Sequence, residues 1–281
     1  MVELSVTPRG PFSLSFSARL AGDATRRFRD GVVSARIGAE RASAWQLPDG
    51  QVVLRGDSEA AAEKLRWMLA LDDDHSEFLQ RFRDDPLLGR AVVHLRGLRQ
   101  VRTATVTQAL LRAVCGQLVD WQTARTLERT VIRAVSPPGA DRLAAPPACA
   151  ALAAVAPFEL RSLGLHERRA AALVRVCRSL DLERLHALPT ASVVARLSRE
   201  RGLGPWSAGV VCLEGLGRPE HGLVGDLGLI KLLRALRGRP VEGWETEELL
   251  ASYGEWAGLA SVYLLAGFAR GLVPAAATRA A

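Results

Sequence analysis

The eight residues 201–208, Arg-Gly-Leu-Gly-Pro-Trp-Ser-Ala, limit the possible folds of this chain more than any other part of its sequence. Gly202 stands where the end of a helix needs a left-handed residue, and Pro205 suits the first turn of a following helix. Gly204 keeps the connection free of side-chain bulk. The pattern predicts two helices joined by a very short Gly-Leu-Gly turn, with Thr190 capping the first.

Such a turn has a physical use beyond reversing the chain. Without Cβ atoms nearby, backbone N–H groups at the start of the second helix can approach a phosphate, and the helix dipole favours the anion. A contact of this kind positions DNA without reading its sequence. An ordinary tight turn between two helices explains the same eight residues about equally well, because short motifs often match by chance.

A second helix start follows at Gly225-Asp226-Leu227-Gly228, with Asp226 at the capping position. Taken alone, capping is the simpler explanation of an aspartate there. The helix dipole and the free N–H groups also favour an ionised carboxylate. Such a carboxylate can stabilise the sugar cation that forms when a glycosidic bond breaks. Asp226 is therefore a candidate both for a cap and for a catalytic group.

The first part of the chain has the patterns of β structure. Residues 12–17 alternate large apolar residues with serine, which is typical of a half-buried strand. Val33, Ala35 and Ile37 predict another strand, and the segments 42–47 and 51–55 flank a Pro-Asp-Gly turn that predicts a hairpin.

A helix from Ser58, capped by Asp57, should follow the strands, with an apolar face of Ala61, Leu65, Met68 and Leu69. The acidic stretch 72–85 then leads to Pro86, and we place a domain boundary after residue 88. Beyond it the apolar spacing is helical. The predicted helices lie near 106–114, 120–135 (capped by Asp120), 158–163, 166–179, 190–201, 205–216, 226–236, 245–253 and 256–270, with a loop at 137–157 that is rich in proline and alanine. The sequence thus predicts an α+β protein, with a small antiparallel sheet and helix in 1–88 and a larger helical domain in 89–281.

The net charge of +7 favours a nucleic-acid partner, and its distribution is more informative than its size. Residues 1–88 carry 12 basic and 14 acidic side chains, whereas residues 89–281 carry 25 and 16. Lysine occurs only at Lys64 and Lys231, so the excess is arginine, which genome composition or a solvated arginine-rich surface also explains.

The residues themselves give no reason to expect a membrane span, a cofactor, or a zinc or iron–sulfur site. No basic head with an apolar run begins the chain, and no apolar stretch of about 18 residues is free of charge and proline. No two of the four cysteines form a CxxC pair, so we expect free thiols in a cytoplasmic protein.

The pair GLGPWSA and, twenty residues after Trp206, GDLGL resembles the helix-hairpin-helix DNA glycosylases, and the AlkA-like 3-methyladenine branch most closely. The β-rich start resembles the extra N-terminal domain of that branch. Residues 113–119 resemble its glycine–glutamine segment, and residues 243–274 resemble its closing helices, including Trp256. The resemblance implies a helical bundle with the active-site cleft between its helical parts.

The resemblance also implies roles for individual residues. Asp226 matches the catalytic aspartate, and Leu118 matches the wedge that fills the gap left by a flipped base. The positions that match the base pocket are Trp206, Gln117, Phe268, Val210 and Leu227. Those that match the DNA-binding hairpin are Gly202, Leu203, Gly204 and Ser207, and relatives hold a monovalent cation through backbone carbonyls there, which points to Gly202 and Gly204.

Three departures from the family bear on activity. The lysine that lets some members cut the DNA backbone through a Schiff base is replaced by Trp206, which implies a monofunctional enzyme. The pocket is less aromatic, with Val210 and Leu227 at tyrosine positions and Phe268 at a tryptophan position. The tract after Trp256, Ala-Gly-Leu-Ala-Ser, lacks the Pro-Trp-Arg of relatives.

The implied function is excision of cationic alkylated purines from damaged double-stranded DNA by a monomer, bound to the nucleoid through DNA. A cationic base leaves without a general acid, and His221 is the one weak candidate for an acid. Two alternatives stay open at this point. One is a non-catalytic DNA-binding protein on the same scaffold, and the other is a glycosylase for oxidised or deaminated bases.

Overall fold

The computed structural model describes residues 1–273, and their architecture is α+β, as the sequence predicts. Five strands form one antiparallel sheet in the order β1-β5-β4-β3-β2. The strands are β1 (Val2–Val6), β2 (Arg26–Arg29), β3 (Val32–Ile37), β4 (Glu40–Gln46) and β5 (Val52–Gly56). The predicted hairpin is β4–β5, with Gln46 opposite Val52, and the predicted strand at 33–37 is β3.

The strand expected at residues 12–17 is wrong, because Leu14–Ala18 is a short helix, α1. The Ser13 hydroxyl accepts the amide of Phe16, and this cap turns the chain into a helix. Leu14, Ser17 and Ala18 are buried while Phe16 is exposed, so burial follows the helical spacing of three to four residues. The alternating serines, which suggested a strand, include the residue that starts this helix.

Helix α2 (Glu59–Met68) packs on the sheet through the predicted apolar face. Its cap is Ser58, whose hydroxyl accepts the amide of Ala61, and not Asp57 as predicted. Asp57 instead accepts the amide of Arg41 on the neighbouring strand.

Twelve further helices surround the site in the described part of the chain. They are α3 (Ser76–Arg81), α4 (Gly89–His94), α5 (Val106–Gly116), α6 (Trp121–Val135), α7 (Cys149–Ala154), α8 (Pro157–Ser162), α9 (Glu167–Ser179), α10 (Thr190–Ser198), α11 (Pro205–Val210), α12 (Leu227–Arg237), α13 (Glu245–Ala251) and α14 (Ala257–Phe268). Short 3-10 helices lie at Leu182–Ala187 and Gly254–Trp256, and α11 continues as a wider π-helical turn over Val211–Gly215. Asp120 caps α6 as predicted. Thr190 does not cap α10, because the cap position is Pro189 and the Thr190 hydroxyl donates to Glu220.

Three apolar clusters hold these layers together. One lies between the sheet and α2, the second surrounds α5, and the third surrounds α14. Phe78 and Phe82 precede the proposed boundary at residue 88, yet they pack in the α14 cluster beside Tyr263. The division into 1–88 and 89–281 stays a proposal, and its last residues, 274–281, lie outside the described part, as does Pro274 of the closing helices. Within residues 1–273, no helix combines the length and apolar character that crossing a bilayer requires.

Candidate functional site

In the Gly-Leu-Gly turn between α10 and α11, Gly202 is left-handed as predicted, but α10 ends at Ser198, so the connection is longer than predicted. Gly202 has φ +95°, in the left-handed region, and a Cβ there would also approach the Cβ of Ala172 to 3.2 Å. A Cβ on Gly204 would have nothing within 4 Å, so that side of the turn is open. Leu203 is buried in the α5 cluster, and it anchors the turn while the flanking glycines stay at the surface.

The Asp226 carboxylate is held by three N–H donors. Its Oδ1 accepts the backbone amides of Gly228 at 2.7 Å and Leu229 at 3.3 Å, which makes it the N-cap of α12. Its Oδ2 accepts Nε1 of Trp206 at 2.9 Å. One oxygen of the carboxylate therefore caps the helix and the other is bound by the indole of Trp206, and Asp226 is only partly buried.

Trp206 joins the hairpin to both neighbouring helices. It lies in the first turn of α11, and its indole reaches Asp226 at the start of α12. The far edge of the same ring lies against Gly116 at the end of α5, where an added Cβ would stand 2.6 Å from the ring carbon Cη2. A side chain at position 116 would collide with the indole, so this placement of Trp206 requires glycine there. Sequence reasoning did not identify this contact.

The residues after Gly116 continue the site. The Gln117 side-chain amide donates to the carbonyl of Gly202 at 2.8 Å and to the hydroxyl of Ser207 at 3.0 Å. Leu118 has φ +53° and an exposed fraction of 83%. A branched side chain in the left-handed region is unusual, and such backbone strain clusters at functional sites. The site thus brings together the glycine–glutamine segment, the hairpin and the downstream aspartate.

No protein-family model matches the chain, but individual proteins are similar to it in sequence or in fold. A DNA-3-methyladenine glycosylase of Bacillus subtilis is 25% identical over 230 residues, which cover 78% of this chain and 75% of that protein. A 3-methyladenine DNA glycosylase from Archaeoglobus fulgidus superposes with a TM-score of 0.82 at 19% identity, over 95% of this chain and 98% of that one.

The chain is thus similar in sequence to a DNA-3-methyladenine glycosylase and shares its fold with another solved glycosylase. The same fold is found in an enzyme named for a different base. An 8-oxoguanine glycosylase/lyase of Clostridium acetobutylicum, bound to double-stranded DNA with cytosine opposite 8-oxoG, superposes with a TM-score of 0.78 at 16% identity. The match covers 96% of this chain and 98% of that one.

The remaining positions expected from the glycosylase resemblance differ in how far their side chains are buried. Leu227 directly follows Asp226 and is exposed, Val210 is buried in α11, and Phe268 packs partly buried in the α14 cluster. Among the aromatic contacts of residues 1–273, none joins Phe268 to Trp206. Ser207 is buried beneath the hairpin with its hydroxyl bound by Gln117, so its side chain supports the turn from inside.

Two contacts around Asp226 were missed in the sequence. Gly225 has φ +81°, and its amide donates to the hydroxyl of Thr246 at 2.7 Å, which fixes the chain just before the aspartate. Leu265 of α14 lies where a Cβ on Gly228 would meet it at 2.5 Å, so α14 packs tightly on the first turn of α12. The glycines on both sides of Asp226 were the available signal for this close packing.

The two lysines and His221 differ in their location and surroundings. Lys64 lies on α2 with its ammonium 3.9 Å from the ring centroid of Trp67, and burial lowers the pKa of its amine. Lys231 is exposed on α12, five residues after Asp226. Burial lowers the pKa of His221 below its usual value. The four cysteines carry free thiols, and residues 1–273 contain no group of three or more potential metal ligands.

Proposed function

We propose that this protein is a monofunctional DNA glycosylase that excises cationic alkylated purines from double-stranded DNA by hydrolysis of the N-glycosidic bond. The observation that carries the proposal is the Asp226 carboxylate, held by Trp206 Nε1 and two backbone amides beside a Gly-Leu-Gly hairpin. The name of the Bacillus subtilis relative and the shared fold support the same class of reaction.

The chemistry follows from the charge and its surroundings. Departure of a purine leaves positive charge on the sugar, and a fixed carboxylate nearby stabilises that charge without reorganising during the reaction. Asp226 can also orient the attacking water through the lone pairs that its three donors leave free. An alkylated purine is already cationic, so it leaves without a proton from the enzyme.

DNA binding is assigned to the surface that contains the hairpin and Leu118. In the proposal, backbone amides near Gly204 contact a phosphate, because that side of the turn is open. Leu118 enters the base stack when the damaged nucleotide flips out of it. Unpairing and unstacking that nucleotide costs a few kcal/mol. Val210, Leu227 and Phe268 line the base pocket in this proposal, together with Trp206 and Gln117.

A monovalent cation at the hairpin is compatible with the donor set. The carbonyl of Gly202 accepts Gln117 Nε2, and the carbonyl of Gly204 accepts the amide of Ala208 at 3.1 Å, so each keeps one lone pair for a cation. Such an ion would strengthen phosphate binding there.

The absence of backbone cleavage is part of the proposal. Trp206 occupies the position that lysine takes in the lyases, and the side-chain donor to the Asp226 carboxylate in the described structure is Trp206 rather than Lys64 or Lys231. Incubation with damaged DNA and borohydride should therefore trap no covalent complex. Cleavage of the strand without alkali would show that the monofunctional assignment is wrong.

The competing function is removal of oxidised bases. The fold supports it as well as it supports removal of alkylated bases, because the Clostridium 8-oxoguanine enzyme has the same fold. A panel of duplexes, each with one lesion, separates the two. We expect release of 3-methyladenine and 7-methylguanine and no release of 8-oxoguanine or of deaminated bases. Binding to the panel with no release at all would instead identify a non-catalytic DNA-binding protein.

A further inference from the structure

Trp121 is a large aromatic residue that the site described above does not use. It is the first residue of α6, and 55% of its surface is exposed. Single exposed apolar residues are common and need no explanation. This one stands three residues after Leu118, whose exposed fraction is 83%. Three consecutive Cα steps span at most about 11 Å, so the two side chains share one end of the α5–α6 pair.

The position of Trp121 is fixed from both sides. Asp120 caps α6 by accepting the amides of Gln122 and Thr123 at 2.9 and 3.0 Å, and its second oxygen accepts the Thr123 hydroxyl at 2.6 Å. The guanidinium of Arg125 lies over the indole, 5.9 Å from the ring centroid. Glu128 holds that guanidinium at 3.2 Å.

An aromatic ring with an open face beside a DNA gap is suited to stack on a base, because every base has a π face. The order of residues along the chain suggests which strand this base belongs to. Gln117 binds Gly202 and Ser207 of the hairpin, which the proposed function assigns to a phosphate beside the damaged nucleotide. Leu118 stands between Gln117 and Trp121 in the sequence, so Trp121 lies beyond the wedge from the hairpin-bound residue.

From this arrangement we propose that Trp121 stacks on the base of the undamaged strand that loses its partner when the damaged nucleotide flips out. The inference rests on the proposed function, since it assumes that Leu118 enters the duplex at the lesion. Leu118 would then fill the gap while Trp121 holds the orphaned base in the stack. The contact would make binding depend on the presence of a base opposite the lesion.

The test uses two duplexes that differ only in the undamaged strand. Both carry a stable tetrahydrofuran abasic analogue in the damaged strand, opposite thymine in the first and opposite a second analogue in the second. Trp121→Ala should raise Kd about tenfold on the first duplex and leave Kd on the second nearly unchanged. Trp121→Phe should restore most of the affinity, and Phe158→Ala, at another exposed aromatic, is the matched control on α8.

A second readout follows the opposite base itself. With 2-aminopurine opposite the analogue, binding of the wild-type protein should quench its fluorescence, and Trp121→Ala should lose that quenching. Equal weakening on both duplexes, or quenching unchanged in Trp121→Ala, would overturn the stacking role. No binding of the wild-type protein to either duplex would overturn the proposed function and this inference with it, so the two failures are distinguishable.

Discussion

Both oxygens of the Asp226 carboxylate accept hydrogen bonds, and the donors come from two different helices. Hydrogen bonds to a charged group contribute about 1.5–3 kcal/mol each, so they restrict the carboxylate to one orientation. The backbone donors belong to its own helix and would hold any capping aspartate. The indole of Trp206 is the donor that an ordinary cap does not need.

Replacement of Trp206 by phenylalanine isolates that donor. Trp206→Phe keeps an aromatic ring against Gly116 but removes the N–H that Oδ2 accepts. We expect the single-turnover rate of base release to fall about tenfold, because one oriented hydrogen bond is lost. Trp244→Phe, at an exposed tryptophan, is the control and should keep the wild-type rate. An unchanged rate in Trp206→Phe would mean that the indole does not orient the carboxylate.

The turn between α10 and α11 makes a prediction about binding rather than chemistry. Gly204→Ala adds a Cβ into open space, so the thermal midpoint should stay the same. The same Cβ would keep a phosphate away from the backbone amides, and Kd for duplex DNA should rise about fivefold or more. Gly22→Ala is a matched control, since its Cβ would meet only Arg26 O at 3.8 Å. Unchanged DNA affinity in Gly204→Ala would move the phosphate contact elsewhere.

Which helices and strands could be predicted depended on whether the signal was local. Asp120, Pro205 and Asp226 act on the backbone within a few residues, and the helix starts that they predicted are present. Gly202 is left-handed as predicted, but α10 already ends at Ser198. The alternation at 12–17 misled because a serine cap and a strand give the same spacing over so few residues. Contacts between distant segments gave no signal in the sequence.

The contact between Gly116 and Trp206 is the main example of such a distant contact. Ninety positions separate the two residues, and each alone fits a common explanation, a helix end and a core aromatic. Their juxtaposition depends on how α5 packs against α11. The same holds for Gln117 and its bond to the Gly202 carbonyl, which positions the segment before Leu118.

A buried ionic network connects the sheet region to the helix that carries the site. Arg112 of α5 donates to Asp23, which precedes β2, at 2.5 Å and to Glu128 of α6 at 2.9 Å. Glu214 accepts a further bond from the same guanidinium. Burial alone would raise the pKa of Asp23, but Arg26 and Arg112 lower it to about 2.

This network predicts how stability depends on pH. The pKa of Asp23 in the folded protein lies below the ordinary 3.8, so its carboxylate stabilises the fold above about pH 4. That contribution, about 2 kcal/mol, is lost as pH falls toward 2. Urea titrations at several pH values should show the free energy of unfolding falling over this range.

Asp23→Asn should lower the free energy of unfolding by about 3 kcal/mol at neutral pH, because it leaves buried arginines without their partner. It should also flatten the acid dependence. Asp30→Asn, whose exposed pair with Arg29 is solvated, should change stability by less than about 0.5 kcal/mol. An acid profile that is the same in Asp23→Asn and the wild-type protein would assign the pH dependence to other carboxylates.

The most direct measurement of the central claim compares base release and DNA binding in one variant. Asp226→Asn keeps the side-chain shape and an oxygen for the helix cap but removes the negative charge. We predict that release of 3-methyladenine from methylated duplex DNA falls by about three orders of magnitude, while Kd for a duplex with an abasic analogue stays near the wild-type value. Release at the wild-type rate by Asp226→Asn would contradict the assignment of Asp226 as the catalytic carboxylate.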